Sequence, residues 1–186
     1  MNKVIKIAVI IIGILIILGI PVATYNNLVA LEQRVNSASS NIDTQLQRRS
    51  DLIPNLVETV KGYAKHENST LDDVIKARNT FTTATTKEDE MKASGEITQA
   101  LSKLMMLQEA YPDLKANTNF LQLQNDLKDT EDKISVMRQF YNDTVLKYNN
   151  KVETIPSNIV ANISHFEKEV FFEAVGQDRE APKVSF

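Results

Sequence analysis

The chain has no cysteine and no tryptophan among its 186 residues, and only five glycines and five prolines. Without cysteine there is no disulfide framework, no thiolate nucleophile and no thiolate metal site. Lipoprotein processing, which needs a cysteine to lipidate, is excluded as well. Few glycines and prolines leave few places for the chain to turn, which favours long helices. The net charge of −3 gives no general affinity for nucleic acid. Nothing resembles a Gly-rich phosphate loop or a nucleophile elbow. His66-Glu67 begins like a zincin motif, but position 70 is Thr70 and the second histidine is missing. His165 has no carboxylate at ligand spacing. Glu109 and Asp113 flank a helix end, where capping or solvation explains them better than a bound cation. The sequence therefore assigns no catalytic residue, no metal ligand and no cofactor.

What is present begins with an apolar run. Ile7 to Ile20 carries no charge and no hydrogen-bonding side chain. With Val4, Ile5 and Pro21 to Ala23 it approaches the ~20 residues that cross a bilayer core. Lys3 and Lys6 precede it, and the next Lys or Arg is Arg34. Positive charge stays on the cytoplasmic side, so the run reads as an uncleaved anchor with the N-terminus inside and the body outside. A cleaved signal peptide is the rival, but the cut would fall after Ala23 and place Pro21 where a small residue is wanted. The reverse orientation also stays open, because only two lysines set the bias.

The body shows helical periodicity. Leu28, Leu31, Val35, Ala38 and Ile42 form a stripe that Leu46, Leu52, Ile53, Leu56, Val60 and Ala64 extend. No glycine or proline lies between Ala23 and Arg49, so the first helix should run unbroken from the anchor into the body. Pro54 should kink it, or restart it with Ser50 or Asp51 as cap. A second helix should begin at Ser69 or Thr70 and bury Leu71, Val74, Ile75, Arg78 and Phe81. Thr85 and Glu88 form a capping box for a third, which buries Ile97, Leu101, Leu104 and Met105 and ends near Tyr111-Pro112. The fourth has the strongest pattern. Phe120, Leu127, Ile134, Tyr141 and Tyr148 recur at heptad spacing, and Leu123, Thr130, Met137 and Thr144 fill the second seam position, as in a coiled coil. A short helix is expected around Ile163 to Ala174. The tail Phe166 to Val175 should pack back on the body or touch the bilayer, given Phe166, Phe171 and Phe172.

Several segments carry a further signal. They are Tyr25-Asn26-Asn27-Leu28-Val29; Arg48-Arg49 with Asp51-Leu52-Ile53-Pro54-Asn55-Leu56-Val57; Lys61-Gly62-Tyr63-Ala64 with His66-Glu67; and Ala77-Arg78. Then come Glu109 to Asn117, Thr130-Glu131, Arg138 with Tyr141-Asn142, Tyr148-Asn149, and Pro156-Ser157-Asn158. In this order the chain resembles the LemA family of bacterial membrane-anchored proteins, from the anchor to about Phe172. The resemblance implies a transmembrane segment followed by an antiparallel helical bundle, and it implies no established reaction. Some relatives are linked to magnetosome membranes, which suggests scaffolding.

The expected fold is therefore all-α: an N-terminal transmembrane helix followed by an antiparallel up-down-up-down four-helix bundle. Residues 1–23 are the cytoplasmic N-terminus and anchor, 24–155 the bundle, and 156–186 a tail with one short helix. A three-helix rod, with the second and third helices fused through Thr85, is the alternative. Interaction or structural candidates are Asp43, Arg48, Arg49, Asp51, Pro54, Glu131, Arg138, Tyr141 and Asn142. If the first and fourth helices are antiparallel, facing positions have numbers adding to ~182, since each helix rises about 1.5 Å per residue. That register predicts the ion pairs Arg49–Glu131 and Asp43–Arg138. The functional expectation is a non-catalytic scaffold or adaptor of the bacterial cell envelope. Its partners would be the bilayer, through the N-terminal helix, and membrane or envelope proteins, with no nucleic acid; a homo-oligomer fits the same reading. A ligand-binding sensor, with a pocket lined by Arg49, Glu131 and Arg138, is the alternative.

Overall fold

The computed structural model describes residues 3–172, without the side chains of residues 3–6 and 9–18. All its regular elements are helices. They are α1 (Lys3–Tyr63), α2 (Asn68–Thr83), α3 (Lys87–Met106), α4 (Pro112–Lys115), α5 (Thr118–Glu153) and α6 (Ser157–Ile163), with a 3-10 turn at Leu107–Glu109. Among the described residues no helix is long and apolar enough to cross a membrane. The transmembrane reading rests largely on the side chains of 9–18, which lie outside the described residues.

The expected continuity of the first helix holds: α1 is 61 residues long and passes both Ala23 and Pro54 without a break. Proline at 54 removes the N–H that would bond to the carbonyl four residues earlier. That carbonyl, Ser50 O, accepts instead from Arg78 Nε of α2 at 3.1 Å. A guanidinium from a neighbouring helix thus takes the place of the missing amide, and the restart expected at Ser50 or Asp51 does not occur.

Helix starts follow local chemistry, with small shifts. Thr86, one residue after the expected Thr85, caps α3 by accepting from the Asp89 amide at 3.1 Å. Asn117 caps α5 by accepting from the Phe120 amide at 2.9 Å. In α2, Leu71, Val74 and Ala77 are buried, while Ile75, expected inside, is 41% exposed. It lies about 100° around the helix from Val74, and the small Ala77 occupies the inward row.

The chain forms two compact units. One holds α1 as far as Ser40 together with Gln139–Phe171. Its buried apolar residues are Leu28, Val35 and Ala38 of α1, Tyr141, Val145, Tyr148 and Val152 of α5, and Ala161 of α6. Here the expected helix over Ile163 to Ala174 is corrected. Helix α6 ends at Ile163, and Ala174 lies outside the described residues. His165 takes a left-handed backbone, φ 58°. The Phe166 amide bonds back to Ala161 O at 3.0 Å and the His165 amide to Asn162 O at 3.4 Å, the paired bonds of a Schellman stop. The chain reverses there and continues without helix. Asn149 holds it on α5: its side-chain amide donates to Glu169 O at 2.8 Å and accepts from Glu169 N at 2.9 Å. Tyr141 Oη donates to Val170 O at 3.0 Å. The tail packs back as expected, as far as the described residues go.

The other unit holds Asn41–Arg138 and Phe172. Its core joins Ile53, Leu56 and Val60 of α1 to Leu71 and Val74 of α2, Ile97, Leu101 and Leu104 of α3, Leu114 of α4, and Phe120 and Leu127 of α5. Inter-helix bonds fix the direction of α5 against α1. Asn117 donates to Tyr63 Oη at 2.8 Å, and Glu131 accepts from Arg49 at 2.6 Å. Partners rise along one helix as they fall along the other, so the two run antiparallel. The heptad row Phe120, Leu127, Ile134, Tyr141 and Tyr148 is buried throughout. The seam threonines Thr130 and Thr144 satisfy their hydroxyls on the carbonyls of Asp126 and Phe140, at 2.7 and 2.8 Å.

Candidate functional site

The densest polar cluster sits in the second unit, where α1, α3 and α5 meet. Arg49 is fully buried. Its Nη1 donates to Glu131 Oε1 at 2.6 Å and to Thr98 Oγ1 at 3.0 Å. Its Nη2 donates to Ser94 Oγ at 2.7 Å and to Ser94 O at 3.1 Å. Arg138 Nη2 donates to the same Ser94 Oγ at 2.6 Å. Two guanidiniums therefore share one hydroxyl oxygen, whose two lone pairs suffice for both. One carboxylate faces two cations. Burial, and then the Arg49 charge, lower the Arg138 pKa, while Glu131 opposes them. The Arg138 guanidinium also lies 4.9 Å from the centre of the Phe172 ring, where the ring face offsets part of its lost hydration. The Nε atoms of both arginines have no hydrogen-bond partner.

Small residues make this approach feasible. Ala93, Ser94 and Gly95 are all buried on α3, so a bulky guanidinium fits against that turn. Ser94 and Thr98 were not among the sequence candidates. The signal was there: Ser94 falls on the row Ile97, Leu101 and Leu104, a small polar residue on an apolar face.

Of the two predicted ion pairs, Arg49–Glu131 is present at 2.6 Å. Asp43–Arg138 is a correction. Asp43 keeps much of its surface exposed; partial loss of hydration against its neighbours raises its pKa, and Lys87 of α3 opposes that rise. The reason is angular. Seven residues on α5 return to nearly the same face, but the six from Arg49 back to Asp43 leave a rotation of about 120°. Asp43 thus looks toward the start of α3, where Glu90 is also raised, first by burial and then by Asp43 itself.

The other candidates are dispersed. Arg48 reaches Asp126 at 3.7 Å, with its side chain 44% exposed. Asp51 is exposed and accepts from Gln47 at 2.8 Å. Pro54 is exposed on α1, one turn beyond the Ser50 carbonyl it frees. Tyr141 and Asn142, buried and half-buried, belong to the other unit. Near the cluster, α3 and α5 border an open cleft of about 400 Å³ lined by Thr98, Leu101, Met105, Leu127, Lys128 and Glu131. Among the described residues no group of three or more His, Asp or Glu side chains is placed to hold a metal.

Comparison with known proteins agrees with the motif reading. The LemA family model matches residues 38–186, and the chain belongs to that family. Protein LemA of Metamycoplasma hominis is 28% identical over 137 residues, 73% of this chain and 63% of that one. Magnetosome protein MamQ 2 of Paramagnetospirillum magneticum is 25% identical over 175 residues, 80% of this chain and 64% of the relative. Magnetosome protein MamQ of Magnetospirillum gryphiswaldense is 25% identical over 174 residues, with the same coverage. The chain thus spans a little under two thirds of the length of these curated relatives.

Proposed function

We propose that this LemA-family chain is a membrane-anchored helical scaffold or adaptor at the bacterial cell envelope, acting through protein and lipid contacts without catalysis. Residues 1–23 supply the cytoplasmic N-terminus and a single transmembrane anchor. Residues 24–155 form an antiparallel up-down-up-down bundle outside the membrane, and 156–186 are the tail. The observation that carries this reading is the use made of the most deeply buried charge. Arg49 directs four bonds to protein atoms, so this fully buried cation is committed to holding helices together. An active site instead leaves such groups facing a cleft. Large apolar side chains meanwhile stand outward on helix faces, among them Met106, Val136 and Phe140, at 70%, 67% and 61% exposure. The magnetosome proteins among the relatives fit the same picture.

Three experiments test the reading. Full-length chain should remain with the membrane after alkaline extraction, and chain lacking 4–23 should be released. A photo-crosslinker at Phe140 should give discrete protein adducts in intact cells; release of the full chain, or a complete lack of adducts, contradicts the proposal. Orientation is read from a reporter active only in the cytoplasm, fused after Phe186 and expected to be silent. A second reading, a ligand sensor, is favoured by one observation. The α3–α5 cleft is walled by Thr98 and Glu131, two of the groups that bond Arg49, so an occupant would touch the network that joins the helices.

A further inference from the structure

Helix α6 is packed inside out. Its inward residues are small: Ser157 is 3% exposed and Ala161 fully buried. Ser157 Oγ is held at 2.7 Å from Lys151 O and 2.9 Å from Thr154 O, which seats the helix against the end of α5. Ile159 and Ile163, four residues apart and so on one face, point away at 58% and 75% exposure, and Ile155 just before the helix is 83% exposed. From Thr154 to Ser164 the sequence has no ionisable side chain. A surface helix ordinarily does the reverse and turns its isoleucines inward.

The position of α6 within its unit identifies what covers this face. Phe166, whose amide bonds to Ala161 O of α6, packs its ring 5.7 Å from that of Tyr25 on α1. Tyr25 lies two residues after Ala23, the last residue of the apolar run, which is about 3 Å along the helix. Higher on α1, the Glu32 carboxylate acts on Tyr148 of α5. From Tyr148 to Phe166 the chain therefore travels toward the apolar end of α1, and α6 is its turning point. Val22 and Ile20 are exposed there too, at 60% and 54%.

We propose that the outward face of α6, Ile155, Ile159 and Ile163, rests in the interfacial layer of the bilayer that α1 enters. A short uncharged segment with apolar side chains on one side suits that layer, where such faces sink by about 5–10 Å. The α5–α6 turn is then a second foot beside the anchor and limits how far the body can tilt. This rests on the anchor reading of residues 4–23.

The absence of native cysteine allows clean labelling of the full chain. Environment-sensitive fluorophores are placed singly at Ile159→Cys, Ile163→Cys, Ile16→Cys within the anchor and Met106→Cys as an exposed reference, and the proteins are reconstituted into vesicles with and without doxyl-labelled phospholipid. Positions 159 and 163 already face outward, so labels there leave the fold intact; unchanged helicity by circular dichroism verifies it. The expected result is loss of emission to doxyl lipid and blue-shifted spectra at 16, 159 and 163, with no loss at 106. Quenching at 16 without quenching at 159 and 163 overturns the α6 assignment and leaves the anchor standing. No quenching at 16 overturns the anchor reading and the proposal with it. Shielding of 159 and 163 from aqueous iodide without doxyl quenching means that protein covers the face, a second copy or another chain, and also overturns the lipid assignment.

Discussion

The Arg49–Glu131 pair offers the sharpest energetic test, because its partners differ in burial. Arg49 is fully buried, whereas the Glu131 side chain is 33% exposed. Glu131→Leu strands a buried guanidinium beside a second one, Arg138, on a shared hydroxyl. Removing one member of such a pair costs about 3–5 kcal/mol. Arg49→Met removes the more buried charge, leaves Glu131 within reach of water and relieves the repulsion on Arg138. Its loss is mainly that of hydrogen bonds, about 1–3 kcal/mol. In the double variant neither charge is stranded, so the two effects fall short of their sum by about 2 kcal/mol. Urea unfolding followed by far-ultraviolet circular dichroism measures all four proteins, suitably for a chain without tryptophan. Additivity within ~0.5 kcal/mol refutes the coupling. A larger loss for Arg49→Met than for Glu131→Leu refutes the burial argument even if coupling is found.

Arg78→Met should destabilise the chain by about 1–3 kcal/mol, since it leaves the Ser50 carbonyl buried without its donor; in a Pro54→Ala background, which restores an amide at that position, the loss should shrink, and equal losses in both backgrounds would argue against substitution of one donor for the other. Asn149→Ala removes both bonds to the Glu169 backbone, so trypsin should cut after Lys168 much faster while global helicity is kept; unchanged cleavage means that other contacts hold the tail. Tyr148 has its pKa pushed up to about 12, first by burial and then by Glu32, Glu169 and Glu167. Its protonated form is favoured by folding, so this contribution is complete below the unfolded value near 10 and is lost as pH rises toward 12. Across that window stability should fall by up to about 1.4 kcal/mol per pH unit, and Tyr148→Phe should flatten the fall; an identical alkaline profile in the variant would show that other groups set it.

Much of this protein follows from local pattern. The stripe from Leu28 to Ile42, extended to Ala64 across Pro54, and the heptad row from Phe120 to Tyr148 marked helices α1 and α5, because a residue's face on a helix depends only on its number and a constant rotation. The same regularity placed Arg49 opposite Glu131 once an antiparallel neighbour was assumed. The motifs spread from Tyr25 to Asn158, along nearly the whole chain, carried the family resemblance. Tertiary structure decided what local pattern does not contain. Whether Pro54 ends a helix depended on Arg78, a residue 24 positions away that supplies a donor to Ser50. Asp43 missed Arg138 because pairing across helices needs the right azimuth as well as the right height. Ser94 became the common acceptor of two arginines only when α3 came close enough to present it. The end of α6 was set by the turn at His165 and by Asn149 capturing the chain beyond it. Apart from the local turn at His165, the deciding partner is distant in sequence, and only packing sets where it lies.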